Sequence, residues 1–287
     1  TRDFCITCDF QNPILTFPTH SIYTCLKLVN SLVFDIGGDN GSSGEGQNGT
    51  ISELLAQNSI PTTIDQHLEA LEELGGLDAL GTPKTDNMYH AGWAWAGSTP
   101  FKHTKLVASH FGGTRNPMVI SWPAKIKPDT AVRSQFHHVN DIVPTVYDVL
   151  NITHPTSVNG IKQMPIDGVS MAATFADADA PENKDTQYFA NNGSRGIYHD
   201  GWYACTFGPL IPWINAQPGL DKWDAAKDVW ELYDLSSDFS QANDLAQREP
   251  ERLAKLQQAF FDHTLVTKIT GVYSTMRFIK LTITLTL

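Results

Sequence analysis

From Ser98 to Arg115 the chain reads Ser-Thr-Pro-Phe-Lys-His-Thr-Lys-Leu-Val-Ala-Ser-His-Phe-Gly-Gly-Thr-Arg. Lys102, His103, Lys105, His110 and Arg115 put five cationic or ionisable groups within fourteen residues. Ammonium groups act as point charges and imidazoles supply N–H donors, the combination a tetrahedral oxyanion such as sulfate or phosphate needs. Gly112-Gly113 has no Cβ and admits close backbone approach. A solvated basic loop would use the same residue types, so both readings stay open at this point.

Asp39-Asn40 sits on a glycine-flanked loop just past an apolar run. A carboxylate and an amide oxygen side by side are hard donors suited to Ca²⁺ or Mg²⁺. Two ligands do not complete a divalent site, and an Asx turn is the ordinary use of such a pair. Asn191 to Trp202 reads as strand, turn and strand with a polar tip. Asn40, Asn48, Asn151 and Asn192 match the glycosylation sequon, and a glycan on Asn40 would exclude metal there. Cys5-Ile-Thr-Cys8 has C-x-x-C spacing, but Cys25 and Cys205 do not supply the matching second pair of a zinc site.

The elements that must position these groups follow from patterning. Leu28–Ile36 is β-branched and aromatic, and reads as a buried strand whose carboxyl end presents Asp39-Asn40. Thr63–Leu74 is a helix with a Thr63/Gln66 capping box, an Ile64/Leu68/Leu71 face and a Gly75-Gly76 stop. Pro117–Trp122 is a short strand. Asn140–Leu150 is a helix capped by Asn140, with Pro144 in its first turn. Residues 174–187 are small and acidic, and read as a linker or surface loop. Strand-like runs follow at Tyr188–Ala190, Gly201–Phe207 and Val229–Leu235, then a helix from Pro250 with Leu253, Leu256 and Phe260 on one face. Gly271–Leu287 alternates apolar residues with Thr and predicts an edge strand.

The 287 residues carry 20 Lys+Arg against 31 Asp+Glu, a net charge of −11, which argues against nucleic acid as a partner. No apolar run approaches the ~18 residues of a membrane span, and no signal peptide is readable. The expected fold class is α/β: a partial mixed sheet flanked by helices, then a small α+β antiparallel-sheet domain. The division is 1–28 unassigned, 29–180 the partial α/β domain, 181–265 the small domain and 266–287 an unassigned tail.

Taken in order, six segments resemble the sulfatase family of the alkaline-phosphatase-like superfamily, its arylsulfatase branch above all. They are Gly38-Asp-Asn-Gly41, Thr99–Lys105 leading to Gly112-Gly-Thr-Arg115, Asp141-Ile-Val-Pro-Thr145, Asp167-Gly-Val-Ser170, Asp200-Gly-Trp202 and Glu231-Leu-Tyr-Asp-Leu235. The resemblance runs from about residue 31 to about 265. It implies a sulfuric ester hydrolase acting on an aryl or carbohydrate sulfate. Asp39 and Asn40 would be metal ligands for Ca²⁺ or Mg²⁺, Lys105 the lysine on the sulfate, and His110 a further catalytic residue. The family's nucleophile is a formylglycine made in a C/S-x-P-S/A-R motif, and that motif is absent from these 287 residues. The expectation is therefore the C-terminal portion of a sulfatase, inactive alone and prone to oligomerise through an exposed sheet edge. Two alternatives are a non-catalytic sulfatase-fold binding protein and a phosphatase or phosphodiesterase of the same superfamily, against which Asp39-Asn40 in place of an Asp-His pair counts.

Overall fold

A computed structural model describes residues 32–37, 41–58, 60–127, 131–214 and 222–266. The cysteine pair Cys5/Cys8, the expected edge strand after Gly271, the first residues of the Leu28 strand, and Asp39-Asn40 themselves lie outside the described residues. The rest forms two compact units. One joins the chain up to Gly37 with Pro117–Gln187, and the other joins Gly38–Asn116 with the chain from Tyr188 onward.

In the first unit, β1 (Val33–Ile36) pairs antiparallel with β2 (Met118–Ser121), from Val33 opposite Ser121 to Ile36 opposite Met118. Pro117 and Pro123 bracket β2, since a proline donates nothing to a ladder. Leu32, Phe34 and Met171 are buried against Met118, Ile120, Ile142, Val146 and Val149. Here the helix Ile142–Val149 supplies the apolar face that covers the pair. Its start departs from expectation. The residue that caps the preceding turn is His138, whose ring accepts from Asn140 N at 3.3 Å, while the Asp141 carboxylate accepts from His138 N at 2.8 Å.

The acidic stretch read as a linker is partly anchored. Ala172–Phe175 forms a 3₁₀ turn, and Lys184 is buried with Nζ 2.7 Å from Asp141 Oδ1 and 2.8 Å from Asn140 Oδ1. Asp141 Oδ1 also accepts from Val169 N, so the buried charge is paired and hydrogen-bonded.

The second unit is built on an antiparallel sheet in the order β5 (Thr186–Asn191), β6 (Ser194–His199), β7 (Trp202–Thr206), β8 (Glu231–Asp234). Its hairpins turn on Asn192-Gly193 and Asp200-Gly201, with both residues at positive φ in each case, the geometry for which Asn-Gly and Asp-Gly are selected. β3 (Ser157–Val158) and β4 (Ile161–Lys162) form a separate exposed hairpin in the first unit. Helix Pro250–Val266 lays Leu256 and Phe260 on Ile197, Ala204, Trp230 and Leu232. The Ile64–Leu74 helix has the complete Thr63/Gln66 capping box and a left-handed Gly75. Its expected apolar face is only partly used: Leu71 is buried, while Ile64 and Leu68 are each 55% exposed.

Candidate functional site

The segment Leu106–Phe111 has no long helix or strand of its own, so its shape is set by what it is bonded to. Leu106 O accepts from Asn191 Nδ2, Ala108 O from Tyr203 Oη, and Ser109 N donates to Ser194 Oγ. Gln241, fully buried, accepts from Phe111 N at 2.8 Å and donates to Ser109 O at 3.1 Å. Four side chains from the sheet and the loop after it thus fix the backbone on which His110 stands.

Gly112 is a junction of main chains. A Cβ there would overlap the carbonyl oxygens of Lys102 and His103, and a Cβ on Gly41 would overlap the Gly112 carbonyl. Gly41 also has φ of +81°, a left-handed conformation that favours glycine. Lys105 N donates to Ser42 O at 3.0 Å. The chain leaving Asp39-Asn40 therefore meets the Lys102–Lys105 turn within two or three residues of both. His103 (φ +68°) and Leu106 (φ +77°) flank Thr104-Lys105, and left-handed non-glycine residues typically store ~1–3 kcal/mol that the surroundings must hold.

The five expected cations separate into different roles. Lys105 Nζ lies 3.4 Å from Glu45 Oε2 at a partly open position. Lys102 Nζ donates to Tyr233 Oη at 2.8 Å and lies 3.9 Å from Glu231 Oε2. Arg115 is not gathered with them: its guanidinium stands over the rings of Phe101, Phe111 and Phe239 at 5.2, 5.6 and 5.6 Å, a cation–π cage.

His110 is 1% exposed, and both ring nitrogens are engaged: Nδ1 is 2.7 Å from Ser109 Oγ and Nε2 is 3.0 Å from Glu231 Oε2. The hydrogen bond from His110, helped by Tyr233 and the Lys102 charge, holds the Glu231 carboxyl down to about 2. An ionised carboxylate only accepts, so His110 Nε2 carries a proton. Burial keeps the His110 pKa below the ordinary imidazole value, with the Lys102 charge acting the same way. The ring is then neutral and Nδ1 accepts from Ser109 Oγ, which itself accepts from Ser194 Oγ at 3.0 Å. Tyr233 Oη donates to the same Glu231 oxygen at 2.5 Å. One direction of donation runs from Ser194 through Ser109 to His110, and from His110 directly and Lys102 through Tyr233 to Glu231.

His103 stands in front of this chain. Its ring lies 4.4 Å from His110, 4.6 Å from Phe207 and 5.0 Å from Trp95, and is nearly parallel to Trp213 at 6.5 Å. Burial first, then the His110 and Lys102 charges, lowers its pKa to about 3. Its Nδ1 is buried without a hydrogen-bond partner among the described residues.

Donor atoms of His110, Cys205 and Glu231 lie within 4.8 Å of one another. Burial pushes the Cys205 thiol up, and both His110 nitrogens are already bonded, so this trio is committed to the fold. The carboxylate and amide oxygens of Asp39-Asn40 are chemically the better match to a hard divalent cation. Gly41, which follows them in sequence, has the Gly112 backbone where a Cβ would be.

Glu231 and Tyr233 were not foreseen as site residues, although a signal existed. Strand alternation places both on one face of the Glu231-Leu-Tyr-Asp-Leu235 run, with Leu232 on the core side. Ser194, Trp213 and Gln241 come from separate loops and strand ends, and nothing in their local sequence signals the site.

The sulfatase family profile matches residues 28–152. An uncharacterized sulfatase of Schizosaccharomyces pombe is 28% identical over 217 residues, 75% of this chain and 35% of that protein. A solved structure from work on glycosaminoglycan metabolism by Bacteroides thetaiotaomicron is 23% identical, covering 62% of this chain and 35% of that one with a TM-score of 0.43. Another, solved with its substrate D-glucosamine-2-N,6-O-disulfate, is 18% identical over 55% of this chain and 29% of that one, TM-score 0.38. The chain spans about a third of the length of these proteins. The profile lies across both the Asp39-Asn40 loop and the Lys105–Gly113 segment, and over that stretch the chain is similar to the sulfatases.

Proposed function

We propose that this chain is the sulfate-holding, carboxy-terminal portion of a sulfuric ester hydrolase. Asp39 and Asn40 supply two oxygen ligands to Ca²⁺ or Mg²⁺, and Lys105 contacts the sulfate. A divalent cation there, when bound, neutralises non-bridging sulfate oxygens, whose charge persists as the ester breaks. Lys105 adds an ammonium charge to the same anion. His110, with both nitrogens committed, keeps the Lys102–Lys105 turn and the Gly112 backbone in register from behind. The observation that supports this reading is the Ser42–Lys105 backbone hydrogen bond together with the Gly41–Gly112 contact, which bring the residues that follow Asp39-Asn40 in sequence to the lysine turn.

Calorimetric titration of the full chain with sodium sulfate tests it. Binding is expected to depend on added Ca²⁺ or Mg²⁺, and Lys105→Met should weaken it about tenfold, ~1.4 kcal/mol. Asp39→Ala should remove the cation dependence. Sulfate affinity indifferent to both substitutions would refute the assignment. With no formylglycine motif in these 287 residues, hydrolysis of 4-nitrophenyl sulfate by the purified chain is expected to stay at background.

A further inference from the structure

The first unit holds a cavity of its own, about 630 Å³, lined by the helix Ile142–Val149, the β3–β4 hairpin and the chain that follows each. Pro144 and Tyr147, three residues apart on the helix, contribute one wall, and the run Met164-Pro165-Ile166 leaving β4 contributes another. Main-chain bonds set its shape. Gln163 N donates to Thr156 O at 2.9 Å across the hairpin, and Ile152 N to Tyr147 O at 2.8 Å where the helix ends. A Cβ on Gly168 would overlap Asn140 O and meet Pro144 Cγ at 3.0 Å, so the chain after Ile166 lies directly on the start of the helix. The cavity is preformed, and its size is that of a small-molecule site.

The lining is one-sided in charge. Its ionisable side chains are Lys162, His154 and Tyr147, with no carboxylate among them, in a chain whose net charge is −11. Asp167 follows Ile166 without joining the lining, and the carboxylate of Asp148, next to Tyr147, accepts from Ser170 Oγ at 2.5 Å. No hydrogen bond or ion pair engages the exposed Lys162 ammonium among the described residues. The His154 ring stands edge-on to Tyr147 at 5.6 Å. Beside these groups the lining is aliphatic, with Ile152 50% and Met164 80% exposed. We infer that this cavity binds an aryl carboxylate, with its rings on the apolar walls and its carboxylate on Lys162. Proline C–H groups and a thioether suit the face of a flat ring. One ammonium matches one negative charge, whereas a phosphate monoester would bring a second charge to a largely apolar lining with no second lysine or arginine to meet it. A ligand without charge would cover Lys162 and leave its N–H donors unused.

Calorimetric titration of the full chain with sodium 2-naphthoate tests this. Binding at one site is expected, and 2-naphthalenemethanol, which keeps the rings without the charge, should bind about tenfold more weakly. Lys162→Met should bring the acid to within about twofold of the alcohol and leave the alcohol's affinity unchanged. Ile166→Asp, which adds a carboxylate to the lining, should remove acid binding, and circular dichroism melts establish that both variants fold. Lys105→Met should not alter naphthoate binding, which keeps the cavity distinct from the proposed sulfate contact. Equal affinities for acid and alcohol, loss of acid binding in Lys105→Met but not in Lys162→Met, or no binding of naphthoate at all would each overturn the assignment.

Discussion

Protonation at His103, His110 and Glu231 makes the site acid-sensitive in two steps. His103 and His110 titrate lower in the folded chain than in the unfolded one, so below about pH 6.5 the unfolded state takes up protons first and stability falls with pH. For His103, with a folded value of about 3, the loss between pH 6.5 and 5 is roughly 1–2 kcal/mol. Glu231, held at about 2, contributes stability that is present above about pH 4.5 and lost as pH falls toward 2. Urea denaturation at pH 7 and pH 5 should therefore show a drop that His103→Gln diminishes. An unchanged drop would place the acid sensitivity elsewhere. At this scale the sequence was informative about residue type and less so about partnership. Spacing singled out Lys102, His103, Lys105 and His110; Lys102 and His110 meet at Glu231 with His103 against His110, while Lys105 pairs with Glu45. That Arg115 would leave them for three phenylalanines was not legible, because Phe239 is distant in sequence and only the fold brings it near.

Two local features carry more of the architecture than their length suggests. Gly112→Ala is expected to destabilise by roughly 2–4 kcal/mol, because the added methyl meets main-chain carbonyls that cannot rotate away. Gly81→Ala is the contrasting control: unlike Gly112 it has positive φ (+75°), but nothing lies within 4 Å of the added methyl, so only the ~1 kcal/mol backbone term applies. Equal effects in thermal melts would dismiss the junction. Lys184→Met leaves Asp141 buried and without its cation, at a cost of about 3–5 kcal/mol. Turns and caps were readable ahead of the structure, since Asn-Gly, Asp-Gly and the Thr63/Gln66 box act through their own backbone. The Asn140 cap was misjudged because the turn is capped by His138 together with the Asp141 carboxylate, and the anchoring of the acidic stretch through Lys184 on Asp141 was not foreseen. Such contacts leave no periodic trace.

For the molecule as a whole, β1 and β2 pair with each other and with no other strand among the described residues, and Val119 on β2 is 64% exposed. Unpaired strand edges beside apolar surface recruit further strands. Sedimentation velocity is expected to show self-association that rises with protein concentration, and Val119→Lys should reduce it; a monomer at all concentrations would contradict this. Gly112 has a different consequence. Because Gly41 and Ser42 meet Gly112 and Lys105 through main-chain atoms, an exchange of neighbouring side chains leaves that contact in place.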